Sequence, residues 1–306
     1  MKKLRVGVVG IGHIGTNHAR IYSELASTAD FTAIYDLDSG RANSIAKKYG
    51  GVAAKSLDEF AELVDAASIA TPTNAHHEIA LPLLERGKHL LVEKPIAENP
   101  QHATALAEMA AKNQLILQVG HVERFNPVLS ALESRLTHPR FIEAHRLSPY
   151  PNRSTDIGVV LDLMIHDLEI ILHLVSSPVQ SIDAVGIPVL SKSEDIANAR
   201  IRFENGCVAN VTSSRISPER MRKIRVFQED AYLSLDYEKQ SGEIYRRESG
   251  KITRDKVPID REEPLKQQLV SFIECASTGR QPKVSGFQAT AALALAVEIT
   301  KRIQNP

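Results

Sequence analysis

The stretch LRVGVVGIGHIG, Leu4–Gly15, decides the fold. Leu4–Val9 is a short apolar run with β-branched residues and predicts a buried strand. It ends in Gly10-Ile11-Gly12-His13-Ile14-Gly15, a G-x-G-x-x-G, and helical spacing follows over Ile14–Leu25. In a strand–turn–helix of this kind the first glycine makes the tight turn. The second lets backbone approach a pyrophosphate, and the third lets helix pack close to strand. The pyrophosphate then rests on free N–H groups of the helix N-terminus, here over Gly12, His13 and Ile14. A second strand run, Phe31–Tyr35, is closed by Asp36. A carboxylate there accepts hydrogen bonds from both adenosine ribose hydroxyls and repels a 2′-phosphate, so NAD is the expected coenzyme. NADP is the weaker alternative, because Arg41 is near enough to partner a phosphate if Asp36 turns away.

The alternation continues outward from that stretch. Ser39–Tyr49 predicts a helix stopped by Gly50-Gly51, and Ser56-Leu57-Asp58-Glu59 is a capping box. Ala66–Ala70 predicts a buried strand ending at Thr71-Pro72, after which Asn74 is expected to cap a helix that Gly87 stops. His89–Val92 predicts a strand followed by Glu93-Lys94-Pro95. Asn99 then caps, Pro100 takes the first helical position, and a helix runs to about Asn113. Leu115–Val119 closes the series. Strands alternating with helices imply right-handed βαβ units and a doubly wound parallel sheet. After Gly120 the rhythm changes. One long apolar helix covers Val159–Val175, and β-rich runs follow at Ser181–Leu190, Ile196–Phe203, Val208–Arg215, Lys223–Phe227 and Ala231–Asp236. Asn205-Gly206 is a hairpin-turn signal between two of them. Helices near Leu265–Thr278 and Phe287–Ile303 end the chain. The expectation is an α/β chain of two domains: 1–120 binding the dinucleotide, and 121–306 an α+β domain with a mostly antiparallel open sheet.

Composition narrows the function classes. The chain has 306 residues, and at about 100–200 residues per domain two domains are the prior. With 43% hydrophobic and 24% charged residues it can bury a sizeable core, which excludes a disordered chain. Its 37 Lys and Arg balance 37 Asp and Glu, so it lacks the electrostatic footprint of a nucleic-acid binder and any polybasic argument for a membrane surface. No apolar run reaches the roughly 18–20 residues of a spanning helix. Two cysteines, Cys207 and Cys275, make no disulfide framework. A soluble cytoplasmic protein is expected, with no nucleic acid and no membrane as partner.

Two further stretches carry candidate chemistry. Ligands of open α/β sheets bind beyond the carboxyl ends of the strands. Lys94, directly after Leu90-Leu91-Val92, therefore stands where a nicotinamide would lie and can donate to a substrate hydroxyl; an ordinary Glu93–Lys94 turn ion pair is the plainer alternative. X-Pro bonds are the plausible cis peptides, so Lys94-Pro95 is expected to be cis and to aim the lysine. Thr71, Pro72 and Thr73 line the neighbouring strand end, and His76 or His77 stands close to the same place. In the second domain Asp162, His166, Glu169 and His173 are spaced i, i+4, i+7, i+11 on an apolar helix, a polar stripe facing a cavity. A histidine beside a carboxylate suits removal of a hydroxyl proton. A structural Asp–His pair in the core is the alternative. A metal on Asp162, His166 and His173 lacks further ligands, so none is expected.

On these residues the chain resembles the Gfo/Idh/MocA oxidoreductases over essentially its whole length. The resemblance rests on Gly10–Gly15, Thr71-Pro72 with His76, Glu93-Lys94-Pro95, and Asp162 with His166. It implies a Rossmann domain joined to a domain whose open sheet often forms an oligomer interface, so a homodimer or homotetramer. It implies hydride transfer between a sugar-type alcohol carbon and nicotinamide, with Lys94, His166 and Asp162 as the catalytic set. Gly10, Gly12, His13, Ile14, Gly15, Asp36, Thr71, Pro72, His76, Glu93 and Lys94 would hold the coenzyme. The motifs Val119–Pro127, Ser214–Ser217 and Arg222–Phe227 look like the branch that dehydrogenates UDP-N-acetylglucosamine at its 3-hydroxyl. That branch would place Arg124, Asn126 and Arg215 with Asp162 and His166 against the substrate, the arginines on a diphosphate; each could equally be a salt-bridge residue. The same resemblance leaves open a dehydrogenase of an inositol or aldose, an NAD-using glycosidase, or a non-catalytic sugar-nucleotide sensor.

Overall fold

The computed structural model describes residues 3–150, 157–248 and 250–305. The chain forms two compact units: one runs through Val122 and takes in Glu263–Ala291, and the other holds Glu123–Glu262 and the chain from Ala292 onward. The expected division differs in its second part, 121–306. Leu269, Phe272, Ile273 and Cys275 from the Glu263–Ala291 segment belong to the same apolar core as Val6, Val8, Ile21 and Tyr22. A helix late in the sequence thus completes the first unit.

In that unit, β1 (Leu4–Val9), α1 (His13–Glu24), β2 (Ala29–Tyr35), α2 (Ser39–Tyr49), β3 (Val52–Ala53), α3 (Leu57–Leu63) and β4 (Ala66–Ile69) are followed by α4 (His76–Glu85), β5 (His89–Glu93), α5 (Pro100–Lys112) and β6 (Leu117–Gly120). The strands pair in parallel in the order β3-β2-β1-β4-β5-β6. Strand order reverses between β1 and β4, and the crevice for a ligand lies outside the carboxyl ends at that switch. Capping follows the sequence in most places. The Ser56 hydroxyl accepts from the Glu59 amide, and Glu59 reaches back to the Lys55 amide, one residue before the capping residue. Asn99 accepts from the His102 amide ahead of Pro100. Asn74 does not cap α4. A 3₁₀ turn over Thr73–Ala75 precedes that helix, its last amide donating to the Pro72 carbonyl, and Asn74 lies inside the turn.

The second unit contains α6 (Pro127–Glu133), β7 (Phe141–Leu147), a π-helical turn (Val160–Met164) running into α7 (Ile165–Val175), and the strands β8 (Val179–Ile187), β9 (Ile196–Phe203), β10 (Val208–Ser214), β11 (Met221–Phe227), β12 (Ala231–Asp236), β13 (Ser241–Glu248) and β14 (Lys251–Lys256). α8 (Pro264–Thr278) returns to the first unit, and the last helix, α9 (Gly286–Gln304), contributes to both. The eight strands order as β14-β13-β12-β11-β7-β10-β9-β8, all antiparallel except β7 with β10. Asn205-Gly206 turns β9 into β10, with Gly206 at φ +84°. Alternation is strict: Ala231, Leu233 and Leu235 of β12 are buried, while Tyr232, Ser234 and Asp236 face outward and are half-buried. On that outer face Phe141, Phe227, Tyr232 and Tyr245 form a ladder with ring centroids 5.6, 4.6 and 5.1 Å apart, and Arg254 lies over the Tyr245 ring.

The inner face of the second unit also buries charge. Arg146 on β7 makes a fork to Asp167 of α7, with Nε–Oδ2 at 2.9 Å and Nη2–Oδ1 at 3.0 Å, and reaches Glu123 Oε1 at 3.0 Å. All three groups are nearly inaccessible to water. Removing one partner of such a set strands the others in low dielectric. Arg146→Met should therefore lower unfolding free energy by about 3–5 kcal/mol, read as a fall in the urea midpoint. A midpoint within experimental scatter of the parent would show that the network does not hold α7 to the sheet.

Candidate active site

The loop after β1 shows the three glycine roles. Gly10 has φ +86°, and a Cβ there would come within 2.8 Å of the Thr71 amide nitrogen. A Cβ on Gly15 would overlap the Gly10 carbonyl oxygen, so α1 closes onto the end of β1 only because that atom is missing. At Gly12 a Cβ would meet nothing within 4 Å. Gly12, His13 and Ile14 are exposed at the start of α1, which has no side-chain cap and no acidic residue in its first turn. Free N–H groups at an open helix start, with room above Gly12, make a cradle for a diphosphate. Asp36 ends β2 beside this loop and accepts the Ile11 amide at 2.6 Å and the Asp38 amide at 2.8 Å. Arg41 stands 3.9 Å from Asp36 and 3.5 Å from Asp38. Thr71 Oγ1, at the end of β4, is buried with no hydrogen-bond partner among the described residues. A buried hydroxyl without a partner is costly, and a dinucleotide at the strand ends would supply one. The residues present therefore fit the coenzyme the loop predicts.

Lys94 follows β5 and is half-buried. Its neighbours on both sides are fixed. The Lys94-Pro95 bond is cis. The Pro95 carbonyl lies 2.9 Å from Nδ1 of His76, whose Nε2 lies 2.9 Å from the Thr71 carbonyl. Burial pushes the His76 pKa down, outweighing both carbonyls, so the neutral ring donates to one of them and ties the ends of β4 and β5 together. His76 is 1% exposed and clamps the two loops together. Glu93 likewise turns inward. Its Oε1 lies 3.3 Å from Nε2 of the fully buried His18 on α1 and accepts from Gln268 of α8 at 3.4 Å. Gly120 makes room for it: a Cβ there would come within 2.6 Å of the Glu93 carboxyl carbon. His77 stacks on His102 at 4.2 Å, away from these contacts.

In the second unit the helical stripe divides into two pairs. Asp162 lies in the π-helical turn and His166 in the first turn of α7, and both are half-buried. Glu169 and His173 pair with Arg124 and Glu133. Arg124 Nη1 donates to Glu169 at 2.8 Å, and His173 Nε2 lies 2.7 Å from Glu133. Burial, only partly offset by Arg124, raises the Glu169 carboxyl to about 7. Asp167, off the stripe and invisible to the spacing argument, is the one that carries the Arg146 fork. Among the described residues no three His, Cys, Asp or Glu groups are placed to hold a metal ion, and no helix is long and apolar enough to cross a membrane.

The three substrate-contact expectations outside this helix change. Arg124 is 4% exposed and engaged with Glu169. Asn126 caps α6, its Oδ1 accepting from the Val128 amide while Nδ2 donates to Glu123 and to the Tyr237 carbonyl. Arg215 is 1% exposed, with its fork committed to Asp195, Ile157, Ser191 and Ser193. The salt-bridge reading that the sequence left open is the one the geometry shows for the arginines. A buried carboxylate demands a partner, and these side chains supply it.

A family model described as the oxidoreductase family with an NAD-binding Rossmann fold matches residues 4–121, and the GFO/IDH/MocA C-terminal domain matches residues 129–234. The UDP-N-acetylglucosamine 3-dehydrogenase of Acidithiobacillus ferrooxidans is 33% identical over 99% of this chain and 98% of its own. The solved structure of that enzyme superposes with a TM-score of 0.94, covering 100% of this chain and 99% of its own at 32% identity. The NAD(+)-dependent scyllo-inositol 2-dehydrogenase of Bacillus subtilis is 25% identical over 99% of this chain and 95% of its own. The two family models fall one on each unit and the relative matches over the whole length, and the chain belongs to the GFO/IDH/MocA family of NAD-binding oxidoreductases.

Proposed function

We propose that the chain dehydrogenates the 3-hydroxyl of UDP-N-acetylglucosamine, with Lys94, His166 and Asp162 as the catalytic set. The whole-length match to the Acidithiobacillus ferrooxidans enzyme carries the choice of substrate. NAD, held by the Gly10–Gly15 loop, Asp36 and the Thr71-Pro72 strand end, supplies the hydride acceptor. His166 takes the proton from the reacting hydroxyl, and Asp162 favours the charged imidazolium that results. The Lys94 ammonium stabilises the alkoxide as it develops, held for that task by Glu93 on one side and His76 on the other. A second reading, a polyol dehydrogenase, is favoured by one observation: Arg124 and Arg215 are buried in ion pairs and are not open to a diphosphate.

The decisive assay follows NADH absorbance with UDP-N-acetylglucosamine, free N-acetylglucosamine and an inositol. Turnover is expected with the sugar nucleotide alone; turnover with inositol alone would replace this substrate by the second reading. Lys94→Met and His166→Ala should each lower turnover on the order of 10²-fold with NAD binding retained, and parental turnover in either removes that residue from the mechanism. Asp36→Ser should shift the NADP-to-NAD preference by about tenfold toward NADP, with Arg41 then free to meet the 2′-phosphate. An unchanged ratio would show that Asp36 does not read the ribose. The outer face of the eight-stranded sheet, with its aromatic ladder, is the surface for a second copy of the chain. Light scattering should give a dimer or tetramer for the parent and a smaller species for Tyr232→Asp; a monomeric parent ends that part of the proposal.

A further inference from the structure

We infer that Arg215, Asp195 and Glu194 form a brace that sets the first turn of the helix carrying Asp162 and His166, and that Arg215 is a positioning residue for the reaction; this rests on the reading of His166 as proton acceptor. The brace touches the helix start at three backbone points. Arg215 Nη1 donates to the Ile157 carbonyl at 2.7 Å. The Val159 amide donates to the Glu194 carbonyl at 3.0 Å, and the Val160 amide to Glu194 Oε1 at 3.3 Å. Gly158 lies between these points, and a Cβ there would overlap the Glu194 carboxylate. The carboxylate is thus pressed against the helix N-terminus, where the peptide dipoles favour negative charge. Asp162 is tied directly to this segment, its amide donating to the Gly158 carbonyl at 3.1 Å.

Glu194 is placed by its neighbour. Asp195 is fully buried, and its Oδ2 accepts the amides of Val189, Leu190 and Ser191 at 2.8, 2.6 and 2.9 Å. Arg215 Nε donates to Oδ1 at 2.8 Å, and Nη2 reaches the Ser191 and Ser193 hydroxyls at 2.7 and 3.1 Å. One guanidinium thereby joins the β8–β9 loop to the helix start. Only a flat fork with several fixed donors serves these acceptors together; an ammonium cannot. The turn that follows is π-helical, over Val160–Met164. Such turns are rare, single and concentrated at functional sites, and the brace holds the backbone at the start of this one.

The test uses the full chain with Arg215→Lys, Glu194→Ala and Glu194→Gln. Three readouts are taken: amide hydrogen exchange over 159–166, turnover, and NAD affinity. Arg215→Lys and Glu194→Ala should speed exchange in that segment at least tenfold and lower turnover at least tenfold. NAD affinity should stay at the parental value, because the brace lies wholly in the second unit. Glu194→Gln, which keeps an acceptor for the Val160 amide, should recover most of the turnover lost in Glu194→Ala. Parental turnover in both Arg215→Lys and Glu194→Ala overturns the inference, whether or not exchange changes. If Arg215→Lys does not fold, Glu194→Ala and its glutamine rescue decide alone. Parental turnover in His166→Ala would mark failure of the underlying reading, and parental exchange in the brace variants would mark failure of the brace itself.

Discussion

The first unit depends on one steric fact: helix α1 can meet the end of β1 only where residue 15 carries no side chain. That approach fixes where the helix begins, and so where its unpaired amides point. It also fixes the rest of the helix. His18, one turn on, falls beside Glu93, and Tyr22, one turn further, hydrogen-bonds Ser68 on β4 at 2.7 Å. The nucleotide loop and the end of β5, which Lys94 follows, are therefore parts of one packed body. Displacing α1 by a methyl group's width would be felt at both, since close-packed interiors transmit strain.

The second unit is organised by a different necessity. Its helix α7 is apolar enough to be buried, yet carries Asp167 and Glu169 into the interior. Each is matched by an arginine from outside the helix, Arg146 from β7 and Arg124 from the segment before α6. Asp195, in the loop before β9, is matched by Arg215 in the same way. Ion pairs of this kind are weak contributors to net stability, but they are exacting about geometry, because a misplaced partner leaves a charge stranded. The result is a helix whose rotation about its own axis is set by charges on its buried side, leaving Asp162 and His166 on the half-buried side.

Much of this was legible in the residues. Glycine spacing, the apolar run before it and Asp36 after it fixed the parallel sheet, because each answers to a local constraint of backbone or burial. The apolar helix that carries Asp162 and His166 is legible for the same reason. The failures have physical causes. β14 is not legible because it is the edge strand, and Lys251–Lys256 is largely exposed and charged, without the alternation that burial imposes. The π turn was missed because it changes hydrogen bonding without changing composition. The ion pairs of Arg124 and Arg215 are not legible because an arginine's partner cannot be seen in one dimension. The partners, Glu169 and Asp195, lie 45 and 20 positions away.

The discontinuity of the first unit has a consequence for how the polypeptide is made. Val6, Val8 and Tyr22 share their core with Leu269, Phe272 and Ile273. During synthesis the amino-terminal sheet leaves the ribosome well before α8 has been translated, and the second unit is added in between. The part of that core which α8 covers, beside α1, thus waits for most of elongation. Cutting the gene at the apparent end of the parallel sheet would make that interim state permanent. Any free-standing version of the coenzyme-binding half would have to graft α8 back on.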